Sequence, residues 1–251
     1  MIKAVIFDLD RTLLTSDKRL TEYSIKVLQK CKENGIKLCI ATARPLRTVE
    51  PYLKIFPFDA VAVMNGAKVI CGDNIETVEM DKKETLVLLE KLGNKNYTIS
   101  LEMGDMVYSN KPIPYYETLI FENFPEIPIG EAPYKILVTL ENENMVRYIE
   151  DVLPVDFYYT VSNGLLIQIA NKNATKINGV KKMLKCFGVS QDEAIYFGDD
   201  NDDIEALKYC SVGVAVENAI DKAKAAADYI TESNDNDGVA KYIENYILKK
   251  D

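Results

Sequence analysis

Ile2-Lys3-Ala4-Val5-Ile6-Phe7-Asp8-Leu9-Asp10 is the stretch on which the reading of this chain turns. The apolar run Ile2–Phe7 stops abruptly at charged residues, as a strand buried on both faces of a parallel sheet does. Side chains alternate along extended backbone, so Asp8 and Asp10 share one side while Leu9 points away. Two carboxylates at the carboxyl end of a strand can divide labour. One stays ionised beside a cation and attacks; the other holds a proton and serves as acid, then base. A solvated turn is the structural alternative.

Outward from this strand, Thr21–Asn34 has apolar residues at helical spacing, Gly35 ends it, and Ile36–Ala41 is a second buried strand. A helix from about Pro45 to Leu53 and a strand Asp59–Val63, closing on Asn65-Gly66, extend the alternation. This order predicts an α/β fold with a doubly wound parallel sheet. Ala67–Cys71 and Ile75–Glu79, across Gly72-Asp73-Asn74, predict a hairpin.

The pattern then changes. Over residues 82–172 it runs through a helix, paired strands, a Pro-rich stretch (Pro112, Pro114, Pro125, Pro128, Pro133), strand Lys135–Leu140, helix Asn142–Val152 and two strands around Gly164. Thr175–Phe187, Ala194–Phe197, Asp202–Tyr209 and Val212–Val216 restore the helix–strand alternation, and Asp237–Lys249 is an amphipathic helix. The expectation is one core, residues 1–81 and 173–251, interrupted by an inserted α+β domain, residues 82–172.

Composition narrows the chemistry. Of 251 residues, 47% are hydrophobic and 27% charged, the balance of a chain folded throughout. A net charge of −9 argues against a nucleic-acid or anionic-membrane partner. No apolar run approaches the roughly 18 residues of a membrane span, and Met1–Asp8 reads as a strand rather than a signal segment, so a cytoplasmic location is expected. Five cysteines are scattered without a Cys-x-x-Cys spacing, which predicts reduced, mostly buried thiols. There is no histidine, so Ser-His-Asp or Cys-His catalysis and histidine-ligated zinc are excluded. Carboxylates, lysine, hydroxyls or a hard metal must carry any chemistry.

Further candidates stand at strand and helix ends. Thr42-Ala43-Arg44 follows the second strand, where a hydroxyl and backbone N–H groups can hold phosphate oxygens; a helix cap is the alternative for Thr42. Lys176 opens a helix and can neutralise phosphate charge, although a lone lysine is ordinarily a solvated one. Gly198-Asp199-Asp200-Asn201-Asp202-Asp203 concentrates acids after a buried strand. A helix cap explains one or two of them; a divalent cation with oxygen ligands, best Mg²⁺, explains the density.

Taken together, Phe7-Asp8-Leu9-Asp10-Arg11-Thr12-Leu13-Leu14, Thr42-Ala43-Arg44, Lys176 and Gly198-Asp199 through Asp203 resemble the four ordered motifs of the haloacid dehalogenase superfamily. The insertion, Asn65-Gly66-Ala67, Asn218-Ala219 and Asp237-Gly238-Val239-Ala240 resemble its Cof-type phosphatases, with a large α/β (C2-type) cap. The resemblance implies a Rossmann-like core and a substrate-selecting cap. It implies a magnesium-dependent phosphatase acting on a small phosphorylated metabolite through an aspartyl-phosphate on Asp8, with Asp10 as acid/base. Asp8, the Asp10 carbonyl, Asp199 and Asp203 would surround Mg²⁺, and Thr42, Ala43 and Lys176 would hold the phosphoryl group. Arg11, Arg44, Asn65, Gly66, Asp202 and Asn218 would lie beside the substrate.

The chain departs from the family pattern at three positions. Arg11 stands where Gly is usual, which makes a positive φ costly there; it is expected to point to water. Ala43 replaces a Gly, and Asp202 replaces an Asn, adding negative charge near the metal. A phosphomutase and a catalytically weak phosphometabolite-binding or regulatory protein are the alternative readings. Glu102, Tyr108 and Lys135 fall in the insertion as surface residues or substrate contacts, and oligomeric state leaves no trace in the sequence.

Overall fold

A computed structural model of the chain describes residues 1–104, 106–113, 119–120, 133–162 and 164–249. Its elements follow in chain order β1 (Ala4–Phe7), α1 (Glu22–Glu33), β2 (Lys37–Ala41), α2 (Leu46–Ile55), β3 (Ala60–Val63), β4 (Lys68–Cys71) and β5 (Asn74–Thr77). Next come α3 (Lys82–Gly93), β6 (Ile99–Met103), β7 (Met106–Ser109), β8 (Leu119–Ile120), β9 (Lys135–Thr139), α4 (Glu143–Val152), β10 (Phe157–Ser162) and β11 (Leu166–Asn171). The chain then runs through α5 (Lys176–Phe187), β12 (Ala194–Gly198), α6 (Ile204–Tyr209), β13 (Val212–Val216), α7 (Asp221–Ala226), β14 (Tyr229–Thr231) and α8 (Gly238–Ile243). Of the Pro-rich stretch, Pro114, Pro125 and Pro128 lie outside the described residues.

Two compact units result, Met1–Thr77 with Thr175–Asp251, and Val78–Ala174. The first holds an eight-stranded sheet in the order β14-β13-β12-β1-β2-β3-β4-β5. Its strands are parallel from β14 to β3, and the β4–β5 hairpin adds the antiparallel edge. This is the α/β, Rossmann-like arrangement that the alternation predicts. Phe7 and Phe197 are fully buried and stack at 5.8 Å between neighbouring strands β1 and β12. Burying each such side chain contributes about 2–3 kcal/mol.

The helices start and stop where the local chemistry dictates. Thr21 caps α1 by accepting from the Ser24 N–H, and Thr175 caps α5 by accepting from Asn178. Gly188, left-handed at φ 63°, ends α5. Asp237 accepts from Thr21 Oγ1 at 2.6 Å and Ser24 Oγ at 3.0 Å, which ties the start of α8 to the start of α1.

The second unit is a six-stranded sheet in the order β10-β11-β9-β6-β7-β8, antiparallel except between β7 and β8. Leu88 and Leu92 of α3 and Ile149 of α4 share one buried apolar cluster with Leu101, Ile136 and Ile169. Glu102 and Lys135 are not surface residues: both are buried, and Lys135 Nζ donates to Gln168 Oε1 at 3.0 Å. Tyr108 packs against the apolar cluster.

The cysteines also depart from expectation. Cys71 at the end of β4 and Cys186 in α5 form a disulfide, while Cys31, Cys39 and Cys210 are buried and free. The two partners are 115 positions apart, so their spacing carries no pairing signal. Among the described residues no helix is long and apolar enough to cross a membrane.

Candidate active site

The carboxyl ends of three adjacent strands, β12, β1 and β2, carry the chemistry, as open α/β sheets favour. Asp8 leaves β1 with its backbone N–H donating to the Phe197 carbonyl at 2.9 Å, and its side chain is buried. Lys176, the first residue of α5 and only 3% exposed, points its ammonium at three carboxylates. Nζ lies 3.0 Å from Asp8 Oδ1, 2.8 Å from Asp203 Oδ1 and 3.2 Å from Asp202 Oδ1. Far from being a solvated charge, Lys176 is the buried cation of the site.

Asp203 is held from every side. Oδ1 also accepts from the Tyr196 hydroxyl at 2.6 Å, and Oδ2 accepts from the backbone N–H groups of Asp199 and Asp200, both at 3.0 Å. Gly198 makes this possible, because a Cβ there would lie 2.5 Å from the Asp203 Cβ. Asp199 Oδ1 accepts from Thr12 Oγ1 at 3.0 Å.

Arg11 does not simply point to water. It takes the left-handed conformation, φ 59°, that its Cβ disfavours. Its half-exposed guanidinium donates to the Asn218 carbonyl at 2.8 Å and stands 3.6 Å from Asp199 Oδ2. Asn218 Nδ2 donates back to the Arg11 carbonyl at 2.7 Å.

Four acids thus crowd around one buried lysine. Burial pushes Asp8 well above the usual carboxylate range despite Lys176, and raises Asp202 as well. Burial and then the Asp203 charge bring Asp199 up to about 7. Burial pulls the Lys176 ammonium down, but Asp202, Asp203 and Asp8 outweigh it and hold it protonated. Carboxylate oxygens of Asp8, Asp199 and Asp203 lie within 4.8 Å of one another. An oxygen-only donor set with more negative charge than its lysine balances is chemically suited to a hard divalent cation.

The Asp10 carboxylate lies in a different setting from these three. Arg44 grips it through two hydrogen bonds, Nε to Oδ2 at 2.6 Å and Nη2 to Oδ1 at 2.7 Å, and Lys18 Nζ donates to Oδ1 at 2.6 Å. Burial alone would raise this acid, but the hydrogen bonds from Arg44 and Lys18 bring it down to about 2. Thr42 is buried after β2, its hydroxyl accepting from the Arg44 N–H at 3.2 Å and its carbonyl from the Asn65 N–H at 2.9 Å. Ala43 lies between them in the chain. Asn65 is buried, its Oδ1 without a hydrogen-bond partner among the described residues, and Gly66 packs so closely that a Cβ would lie 2.4 Å from the Thr175 carbonyl.

Thr12, Lys18 and Tyr196 were not singled out as site residues from the sequence. Thr12 stands two positions after Asp10, and Tyr196 two before Gly198, inside segments already quoted; nothing local marks Lys18.

Residues 5–243 match the family model of haloacid dehalogenase-like hydrolases. The chain belongs to that family. It is a phosphoric monoester hydrolase of the haloacid dehalogenase type. A putative phosphatase of Haemophilus influenzae is 30% identical, over 97% of this chain and 98% of its own length. The 5-amino-6-(5-phospho-D-ribitylamino)uracil phosphatase YitU of Bacillus subtilis is 28% identical, over 96% of each chain. The fold is shared with a phosphatase of the superfamily from Bacteroides thetaiotaomicron, with a TM-score of 0.89 at 23% identity over 99% of this chain and 96% of the other.

Proposed function

We propose that this phosphatase hydrolyses a small phosphorylated metabolite, a sugar phosphate or related phosphomonoester, with Mg²⁺ and through an aspartyl-phosphate on Asp8. The observation that carries this reading is the Lys176 ammonium, buried 3.0 Å from Asp8 Oδ1 among carboxylates that outnumber it. Asp8 and Asp199, with Asp203 beside them and the Asp10 carbonyl, would hold Mg²⁺, which when bound offsets charge on the phosphoryl oxygens and favours ionised Asp8.

Asp8 attacks phosphorus in line, forming an acyl phosphate; Asp10, brought down to about 2 by Arg44 and Lys18, must leave these partners and take a proton from solvent before it donates that proton to the departing alcohol oxygen. Ionised Asp10 then takes a proton from water as it displaces the phosphoryl group, regenerating the Asp8 carboxylate. Lys176 and the Thr42 hydroxyl, with the Ala43 N–H, bind the transferring oxygens. Asp203 acts through Lys176, holding the ammonium between itself and Asp8. Residues 82–172 act as the cap that selects the substrate, with the core in residues 1–81 and 173–251. A cytoplasmic location suits an acidic enzyme acting on metabolites.

The test is phosphate release from a panel of phosphorylated metabolites with Mg²⁺, with EDTA, and with Asp8→Asn. Metal-dependent release lost in the variant supports the reading. Release that persists in Asp8→Asn overturns the nucleophile, and folded protein releasing no phosphate from any compound favours a binding protein.

A further inference from the structure

An ammonium group has three N–H groups to give, and three carboxylate oxygens stand around that of Lys176. Asp203 Oδ1 lies at 2.8 Å, Asp8 Oδ1 at 3.0 Å and Asp202 Oδ1 at 3.2 Å. Only 3% of the lysine is exposed, so almost none of the cation is turned to solvent. A phosphoryl oxygen that is to bind Nζ therefore takes the place of one of these carboxylates.

The three differ in what it costs to move them. Asp203 is fully buried, and its oxygens also accept from the Tyr196 hydroxyl at 2.6 Å and from the N–H groups of Asp199 and Asp200 at 3.0 Å. Withdrawing it would break all of these bonds at once. Asp8 follows β1 directly and is also buried, and as the nucleophile it must stay beside phosphorus. Asp202 has the longest of the three contacts, and its side chain is 28% exposed. Among the described residues its carboxylate has no hydrogen bond or ion pair except with Lys176. It belongs to the short helical turn Asn201–Asp203, beside the inward-pointing Asp203, which leaves it at the rim of the cluster. Moving it outward gives up one contact and regains hydration.

We propose that Asp202 is the exchangeable partner of Lys176. The phosphoryl group displaces it on binding, and it competes for the ammonium again as inorganic phosphate leaves. The idea rests on the phosphatase reading and on Lys176 as a ligand of the phosphoryl oxygens. Asp202 acts through Lys176, which makes it a positioning residue that weakens phosphate binding and hastens product release.

The experiment measures inorganic phosphate at saturating Mg²⁺, as a competitive inhibitor of 4-nitrophenyl phosphate hydrolysis and by calorimetry. It compares wild type, Asp202→Ala and Asp202→Glu, with Asp8→Asn as the blank and thermal unfolding to establish folding. Asp202→Ala is expected to bind phosphate about tenfold more tightly by both measures, the worth of one charge-assisted hydrogen bond. KM should fall more than kcat does, a split that a loosened fold would not produce, and Asp202→Glu should stay within about threefold of wild type. Phosphate affinity that is unchanged or weaker in Asp202→Ala would overturn the proposal and leave the phosphatase reading intact. A carboxylate that served the cation instead would give that result, with Mg²⁺ bound more weakly by calorimetry. Equal gains in Asp202→Ala and Asp202→Glu would overturn it too, since loss of the carboxylate would not be their cause. Wild type that hydrolyses the ester no faster than Asp8→Asn would overturn the phosphatase reading and this one with it.

Discussion

Arg11 and Asn218 exchange two hydrogen bonds across 207 positions of sequence, guanidinium to carbonyl at 2.8 Å and amide to carbonyl at 2.7 Å. Asn218 Oδ1 also accepts from the Asn234 N–H at 2.9 Å, so one side chain joins the turn after Asp10 to two later loops. A tie of this kind accounts for an arginine in a conformation that costs a residue with a Cβ about 1–2 kcal/mol.

Arg11→Gly therefore removes the strain and the guanidinium hydrogen bond together, each about 1 kcal/mol, while the backbone carbonyl still accepts from Asn218 Nδ2, and unfolding in urea is expected to show little net change. Asn218→Ala strands two partners with no relief and should cost about 2 kcal/mol. Arg11→Gly also takes a cation away from Asp199. A unit charge at about 4 Å acts by about 1 kcal/mol in a water-like medium, so calorimetry should find Mg²⁺ bound about fivefold more tightly.

Asp199, raised together with Asp8 and Asp202, contributes to the pH dependence of the metal-free protein. Its folded pKa, about 7, lies above the unfolded value near 3.9, so between these the folded state binds more protons and stability falls as pH rises. Asp10, lowered to about 2, works the other way and loses its contribution below pH 4. The melting temperature in EDTA should fall from pH 5 to pH 7; Mg²⁺ should flatten that fall, and Asp199→Asn should lessen it, with raised Asp8 and Asp202 keeping the remainder. A melting temperature in EDTA that climbs across the same range would contradict it.

Much of the site could be read before the structure, for a local reason. Asp8, Thr42 and Asp199 follow apolar runs that can only be buried strands, and parallel strands bring their carboxyl ends to one edge. Lys176 carries no such signal of its own, since a lone lysine is ordinarily a solvated charge; only its convergence with the other motifs of the family pattern singles it out. Lys18, which meets Asp10, was not legible at all, because a lysine in a turn marks no such contact. Arg11 was misjudged because exposure describes an average arginine, whereas this one is held by a loop 207 positions away. The elements α7 and β14 escaped notice because six and three residues are too few for a period to register.

Gly66 and Gly72 allow a paired test of close packing. Both have positive φ, +83° and +60°, but a Cβ at Gly72 meets nothing within 4 Å among the described residues, whereas one at Gly66 lies 2.4 Å from the Thr175 carbonyl. Gly72→Ala should cost about 1 kcal/mol, the backbone cost alone. Gly66→Ala should cost about 3 kcal/mol and lower kcat, because relief requires Thr175, and with it Lys176, to move. Equal destabilisation of the two variants would show that the β3–β4 turn yields without disturbing α5.

The Cys71–Cys186 bond closes a loop of 115 positions around the whole insertion. Chain-entropy arguments give such a long loop up to about 4–5 kcal/mol, of which native bonds commonly deliver about 2–4. Cys186 is exposed, so dithiothreitol can reach it in the folded protein. Thiol titration of the unreduced, denatured protein should find Cys31, Cys39 and Cys210 and no others. Reduction, or Cys71→Ser with Cys186→Ser, should lower the melting temperature while phosphate release at 25 °C continues, because neither sulfur touches Asp8, Lys176 or their partners. Five titratable thiols would mean that the pair stays reduced as the protein is made, the state that a cytosolic thiol pool enforces. The melting temperature should then not respond to dithiothreitol, and α5 would rest against β4 by packing alone.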